Sequence, residues 1–119
     1  MAMHRILVVE DEVSAAFAIS LHLGKFGHVM LGPASTGIEA VALARSEKPD
    51  LVLMDIQLLG PMDGVEAARS IRAEREVALI FMTAYPIELI KIRVEELHPL
   101  AVLSKPFGLE ELEALIARI

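Results

Sequence analysis

The chain has 119 residues, of which 55% are hydrophobic and 24% charged, with a formal net charge of −6 and no cysteine. This length suits one domain spanning residues 1–119, and the composition supports a folded core rather than disorder. The acidic balance argues against direct nucleic-acid binding, which needs a basic surface. Without cysteine there is neither a disulfide framework nor a thiolate metal site, which fits a reducing cytoplasm. Ile6–Val9 is too short for an export signal. The longest apolar run, Val77–Met82, falls far below the roughly 20 residues of a membrane-spanning helix. A soluble, cytoplasmic protein without membrane contact is expected.

Five apolar, β-rich runs alternate with amphipathic stretches: Ile6–Val9, Val29–Gly32, Leu51–Met54, Ala78–Met82 and Ala101–Leu103. Such continuous runs suit strands buried on both faces of a parallel sheet. The first helix is predicted over Val13–Phe26, with Gly27 ending it. A second opens on Thr36-Gly37-Ile38-Glu39, a capping-box pattern, and closes before Pro49 because the residue ahead of proline avoids helical geometry. Asp63 can cap a third. The fourth begins with Pro86 in its first turn, ends before Pro99, and turns Ile87, Ile90, Val94 and Leu97 to the core. The fifth lines up Leu109, Leu112, Ile116 and Ile119 on one face.

The pattern is (βα)₅, an α/β chain with no linker or repeat, and right-handed crossovers make a doubly wound sheet the economical arrangement. Pattern alone does not fix strand order. In the flavodoxin-like order 2-1-3-4-5, a crevice opens at the carboxyl ends of the first and third strands. There the chain carries Glu10-Asp11-Glu12 and Asp55. Carboxylates that close raise one another's pKa unless a cation intervenes, and a hard divalent ion such as Mg²⁺ or Mn²⁺ takes one or two carboxylates, a carbonyl and water. Glu12 reads instead as a cap on the first helix. Thr83 and Lys105 end the fourth and fifth strand runs, so acid, acid, hydroxyl and ammonium arrive at four strand ends in chain order.

Ile6-Leu7-Val8-Val9-Glu10-Asp11-Glu12, Asp55, Thr83-Ala84 and Lys105-Pro106-Phe107 resemble the response-regulator receiver family over essentially the whole chain. The resemblance implies a three-layer flavodoxin-like sandwich with a five-stranded parallel sheet, order 2-1-3-4-5. It implies Asp55 as phosphoacceptor; Asp11 and Asp55 as Mg²⁺ ligands; Glu10 acting through water; and the Gln57 main-chain carbonyl completing the site. Thr83 matches the switch hydroxyl, Lys105 the phosphate-contacting lysine, and Pro106 the proline after a cis peptide bond, while small Ala84 leaves room for a donor or water. Two positions depart from the family pattern. The loop from Asp55 to Asp63 is one residue longer, with Leu59-Gly60-Pro61 placing proline late. Val102 stands where many members carry an aromatic that swings on activation. Tyr85 either gates the pocket in its place or packs at the start of the fourth helix.

The function expected is a phosphorelay switch: a histidine kinase or histidine phosphotransfer protein donates to Asp55, and the surface of helix four and strand five changes. Small Ser14, Ala15 and Ala16 beside the acid cluster would admit the donor's helix. Leu89 and Ile92 fall off the core stripe of helix four, and either dock a partner or a second copy through helix four, strand five and helix five, or are covered by neighbouring helices. His4, His22, His28 and His98 share no ligand spacing and read as surface residues. Three other functions compete. A flavodoxin-like cofactor binder would need amides and hydroxyls where Glu10-Asp11-Glu12 stands. A phosphatase with an aspartyl-phosphate intermediate would need an acid where Gln57 stands. The third is a receiver-like domain that no longer needs phosphorylation.

Overall fold

Parallel pairing throughout the sheet follows from strands that are apolar on both faces and separated by helices. In the computed structural model, which describes residues 3–119, the strands are β1 (Arg5–Val9), β2 (Val29–Ala34), β3 (Leu51–Asp55), β4 (Ala78–Thr83) and β5 (Ala101–Ser104), in the order β2-β1-β3-β4-β5. The helices are α1 (Val13–Gly24), α2 (Gly37–Glu47), α3 (Gly64–Glu74), α4 (Ile87–Val94) and α5 (Leu109–Ile116), with a short 3₁₀ turn, Glu95–Leu97, after α4. Ile6 lies opposite Met30 on one side and Leu51 on the other, and the register continues through Leu53 with Ile80 and Met82 with Leu103.

Successive strand residues point to opposite faces, which builds two cores. Leu7, Val9, Val52, Met54, Leu79 and Phe81 pack under α2, α3 and α4. Ile6, Val8, Leu51, Leu53, Ile80 and Met82 pack under α1 and α5, against Ile19, Leu23, Leu112 and Ile116. This is the three-layer arrangement expected from the sequence. No helix among the described residues is long and apolar enough to cross a membrane.

Most element ends obey the local signals. Thr36 caps α2 by accepting from the Glu39 amide at 3.1 Å, but the Glu39 carboxylate reaches back to the Ser35 amide at 2.8 Å, one residue beyond the expected box. Lys48, ahead of Pro49, ends α2 in the left-handed region at φ 51°, outside the right-handed helical geometry that a following proline disfavours. Asp63 and Glu66 form the full reciprocal box on α3, with both bonds at 2.9 Å. Pro86 stands just before α4, as its cap residue.

Some expectations need correction. The first helix stops at Gly24: the amides of Lys25, Phe26 and Gly27 bond three residues back, a tightened turn that ends at Gly27 with φ 90°. The strands run one or two residues beyond their apolar cores; β2 extends through Pro33, which an edge strand tolerates, with a register irregularity against β1. Ile119 lies beyond α5 and is exposed, since the helix ends before its turn would face the core. His28 is buried, not superficial: its ring stacks on His4 at 5.5 Å and its Nδ1 accepts the His4 amide at 3.0 Å. Leu89 and Ile92 are not covered by neighbouring helices, being 70% and 82% exposed.

Candidate functional site

The site is assembled by strand ends. Glu10 and Asp11 follow β1, Asp55 ends β3, Thr83 ends β4 and Lys105 follows β5. Backbone bonds fix these ends laterally: Ile56 N–H to Met82 O at 3.0 Å and Lys105 N–H to Thr83 O at 2.8 Å. Glu10 is only 3% exposed and Asp55 2%, and Thr83 is fully buried. Lys105 Nζ donates to Glu10 Oε1 at 2.7 Å and to Asp55 Oδ2 at 2.8 Å. The remaining oxygens are used locally: Glu10 Oε2 accepts the Glu12 amide at 3.1 Å, and Asp55 Oδ1 accepts the Gln57 amide at 3.2 Å.

Burial and the neighbouring Glu10 charge push the Asp55 carboxyl up to about 6, against the pull of Lys105. Burial also opposes ionisation of Glu10, but the Lys105 ammonium and further hydrogen bonds outweigh it and hold that carboxyl below its ordinary value. Lys105 is likewise desolvated, yet its two carboxylate partners raise it. Between the two acids, Asp55 is therefore the one that protonates first.

One carboxylate oxygen from each of Glu10, Asp11 and Asp55 lies within 4.8 Å of the other two. Among the described residues, Lys105 is the one ammonium bonded within this group, to Glu10 and Asp55, so three carboxyl groups face a single cation. The donor set is all oxygen, which suits a hard divalent cation such as Mg²⁺. Glu12 has the role the sequence suggested for it, capping α1 through the Ser14 and Ala15 amides at 3.1 and 3.0 Å.

Other expected site residues stand around this centre. Thr83 Oγ1 accepts the Tyr85 amide at 2.9 Å rather than contacting Asp55. Tyr85, two residues before the start of α4, is 55% exposed. Ala84 is exposed, and its amide donates a long hydrogen bond to Gln57 Oε1 at 3.5 Å, while Gln57 Nε2 is buried with no partner among the described residues. The Lys105–Pro106 peptide is cis, as is Gly32–Pro33, which the sequence reading missed. Val102 is half-buried in a cleft of about 370 Å³ with Ile87, Lys91, Val94 and Pro99.

A larger cleft, about 520 Å³, runs from Glu10 and Lys105 between α1 and the segment after β5, lined by Ala15, Ala18, Ile19, Phe107 and Leu109. Of the three small residues singled out on α1, Ala15 lines it, whereas Ala16 is in the core and Ser14 is engaged by the Glu12 carboxylate. Ala18 escaped the sequence reading because its nearness to Phe107 depends on how α1 and α5 pack. So did Gly64. A Cβ there would fall inside the Asp55 carbonyl oxygen and 2.8 Å from Ile56 Cα, so the first turn of α3 lies directly on the backbone that carries Asp55. The Asp63-Gly64 pair was the visible signal.

Residues 6–117 match the family model described as the response regulator receiver domain. The chain belongs to the response-regulator receiver family. It is 34% identical over 108 residues to the transcriptional regulatory protein PdtaR of Mycobacterium tuberculosis, covering 91% of this chain and 52% of that protein. It is 35% identical over 114 residues to the phyllosphere-induced regulator PhyR of Methylorubrum extorquens, covering 95% of this chain and 42% of PhyR. The chain thus spans about half the length of these curated relatives. The signal receiver domain of a modulated diguanylate cyclase from Desulfovibrio desulfuricans superposes with a TM-score of 0.89 at 32% identity, over 98% of this chain and 93% of that one. Receiver domains of this family are signalling domains rather than classical enzymes.

Proposed function

We propose that residues 1–119 act as one phosphoacceptor switch, in which Asp55 takes a phosphoryl group from the imidazole of a histidine kinase or a histidine phosphotransfer protein. The observation that carries this reading is the buried Asp55 carboxylate, held at 2.8 Å by Lys105 inside a cluster of three carboxyl groups. An Asp55 oxygen attacks phosphorus, the P–N bond to the donor imidazole breaks, and the imidazole nitrogen leaves with the bonding pair. Asp55 must be ionised to attack, which its position near pH 6 allows at neutral pH. Lys105 follows the charge onto a phosphoryl oxygen, a geometry in which a charge-assisted hydrogen bond is strongest. The Thr83 hydroxyl, with its local tie to Tyr85 released, turns to another oxygen.

Asp11, Asp55, the Gln57 main-chain carbonyl and Glu10 through water would hold Mg²⁺ or Mn²⁺. When bound, that ion supplies positive charge to the phosphoryl oxygens. The cleft beside α1, floored by Ala15 and Ala18, admits the donor's helix next to Asp55. Tyr85, exposed beside Thr83, can swing over the pocket, and small Ala84 keeps the approach open. The exposed Leu89 and Ile92 make α4, with β5 and α5, the face that reads out the switch, including by pairing with a second copy. Such a domain belongs in the cytoplasm, where a histidine phosphodonor meets it. Self-phosphorylation and slow hydrolysis of the product are its only chemistry; Gln57, two residues past Asp55, cannot act as the acid a phosphatase would need.

Incubation with acetyl phosphate and Mg²⁺, followed by intact mass, tests this. One added phosphoryl group is expected on the wild type and none on Asp55→Asn. An unmodified wild type would point to a receiver that no longer needs phosphorylation, and equal gain in both proteins would remove Asp55 from the role.

A further inference from the structure

Helix α4 is held very differently on its two sides. Towards β5 it faces the open cleft at Val102, with Ile87, Lys91 and Val94 on the walls. Towards α3, the helix and the 3₁₀ turn that follows it are tied by three arginines. Arg93 Nη2 of α4 donates to Asp63 Oδ2 at 2.8 Å. Arg69 of α3 donates to Glu96 Oε1 at 2.8 Å and to the Arg93 carbonyl at 3.3 Å. Arg72 of α3 donates to the Leu97 carbonyl at 2.7 Å.

One of these ties leads back to the pocket. Asp63 divides its carboxylate between two tasks: Oδ1 caps α3 through the Glu66 amide at 2.9 Å, and Oδ2 holds Arg93. The next residue, Gly64, lies in direct contact with the Asp55 backbone and donates its amide to Ile56 O at 2.9 Å. A displacement of the Asp55 strand end therefore meets no slack before it reaches the first turn of α3. From there the Asp63–Arg93 ion pair leads on to α4, beside the Arg69 bond to the Arg93 carbonyl. Close-packed contacts of this kind transmit displacement rather than absorb it.

We propose that the Asp63–Arg93 ion pair couples occupancy of the Asp55 pocket to the position of α4, on the α3 side of the helix. The proposal rests on Asp55 being the phosphoacceptor. Coupling is a free energy shared by two sites, so removing the connecting charge must reduce the response of one to the other without abolishing binding.

Beryllium fluoride with Mg²⁺ is the probe, since beryllium bound to a carboxylate oxygen reproduces the shape of an acyl phosphate. Amide NMR shifts are read at residues flanking Asp55 and along α4. In the wild type, both sets shift. In Asp63→Asn, which keeps the cap acceptor, and in Arg93→Gln, the Asp55 set still shifts while the α4 response falls about twofold or more. Arg93→Lys, which keeps the charge, restores it. An undiminished α4 response in both charge-removing variants, or no restoration by lysine, overturns the coupling alone. No shift around Asp55 in the wild type overturns the phosphoacceptor reading, and the coupling with it.

Discussion

Asp55→Asn should stabilise the fold at neutral pH in the absence of divalent cations. Burial and Glu10 raise the Asp55 carboxyl from its ordinary 3.8 to about 6. The folded state then binds more protons than the unfolded chain between those values, so stability falls as pH rises through that window and stays reduced above it. Two pKa units at 1.4 kcal/mol each make the ionised aspartate cost about 3 kcal/mol. Asparagine removes that cost but offers one acceptor where the carboxylate serves two donors, the Gln57 amide and Lys105. One lost hydrogen bond returns about 1 kcal/mol. Lys105 keeps Glu10 at 2.7 Å, so no charge is orphaned. The net expectation is a gain of about 2 kcal/mol at about pH 7.5 in EDTA, shrinking to zero or changing sign below about pH 4. Urea unfolding followed by far-UV circular dichroism measures it. Mg²⁺ should reverse the order, since at a hundredfold excess over its dissociation constant it adds about 3 kcal/mol to a protein that binds it. An asparagine variant less stable than the wild type in EDTA at pH 7.5, or a difference that does not change with pH, would refute this account of the pocket.

Gly64→Ala should lose about 2–3 kcal/mol in the same assay, because its methyl group meets the Asp55 backbone rather than a yielding side chain; unchanged stability would show that α3 has slack there. Lys105→Met should tighten Mg²⁺ binding, measured by calorimetry, while slowing phosphorylation by acetyl phosphate about tenfold or more, since it deepens the negative charge but removes the ammonium from the phosphoryl oxygens. Equal rates would show that Lys105 only balances Glu10 and Asp55. Leu89→Lys with Ile92→Lys should change stability by no more than about 0.5 kcal/mol, because both side chains are exposed. The same pair should abolish any phosphorylation-dependent self-association seen by sedimentation; persistent association would move the contact elsewhere.

The fold was legible because its signals are local and repeat. Five apolar runs, each followed by an amphipathic helix, leave a doubly wound sheet as the natural solution, and Asp63, Thr36 and Pro49 mark boundaries by chemistry confined to a few residues. Misreadings arose where a distant neighbour decides. His28 looks like a surface residue until His4 stacks on it. Ile119 continues the helical period of the core face, but α5 ends before reaching it.

The sequence by itself determined which groups could meet: two acids, a hydroxyl and an ammonium stand at strand ends, and strand ends of a parallel sheet converge. Only the tertiary structure decided how they share charge. That Lys105 bridges Glu10 and Asp55, that Asp55 rather than Glu10 is the reluctant acid, and that Gly64 joins Asp55 to α3 all depend on atoms placed within about 3 Å by strand pairing and helix packing. Such distances link residues far apart in the chain, where no sequence periodicity reaches.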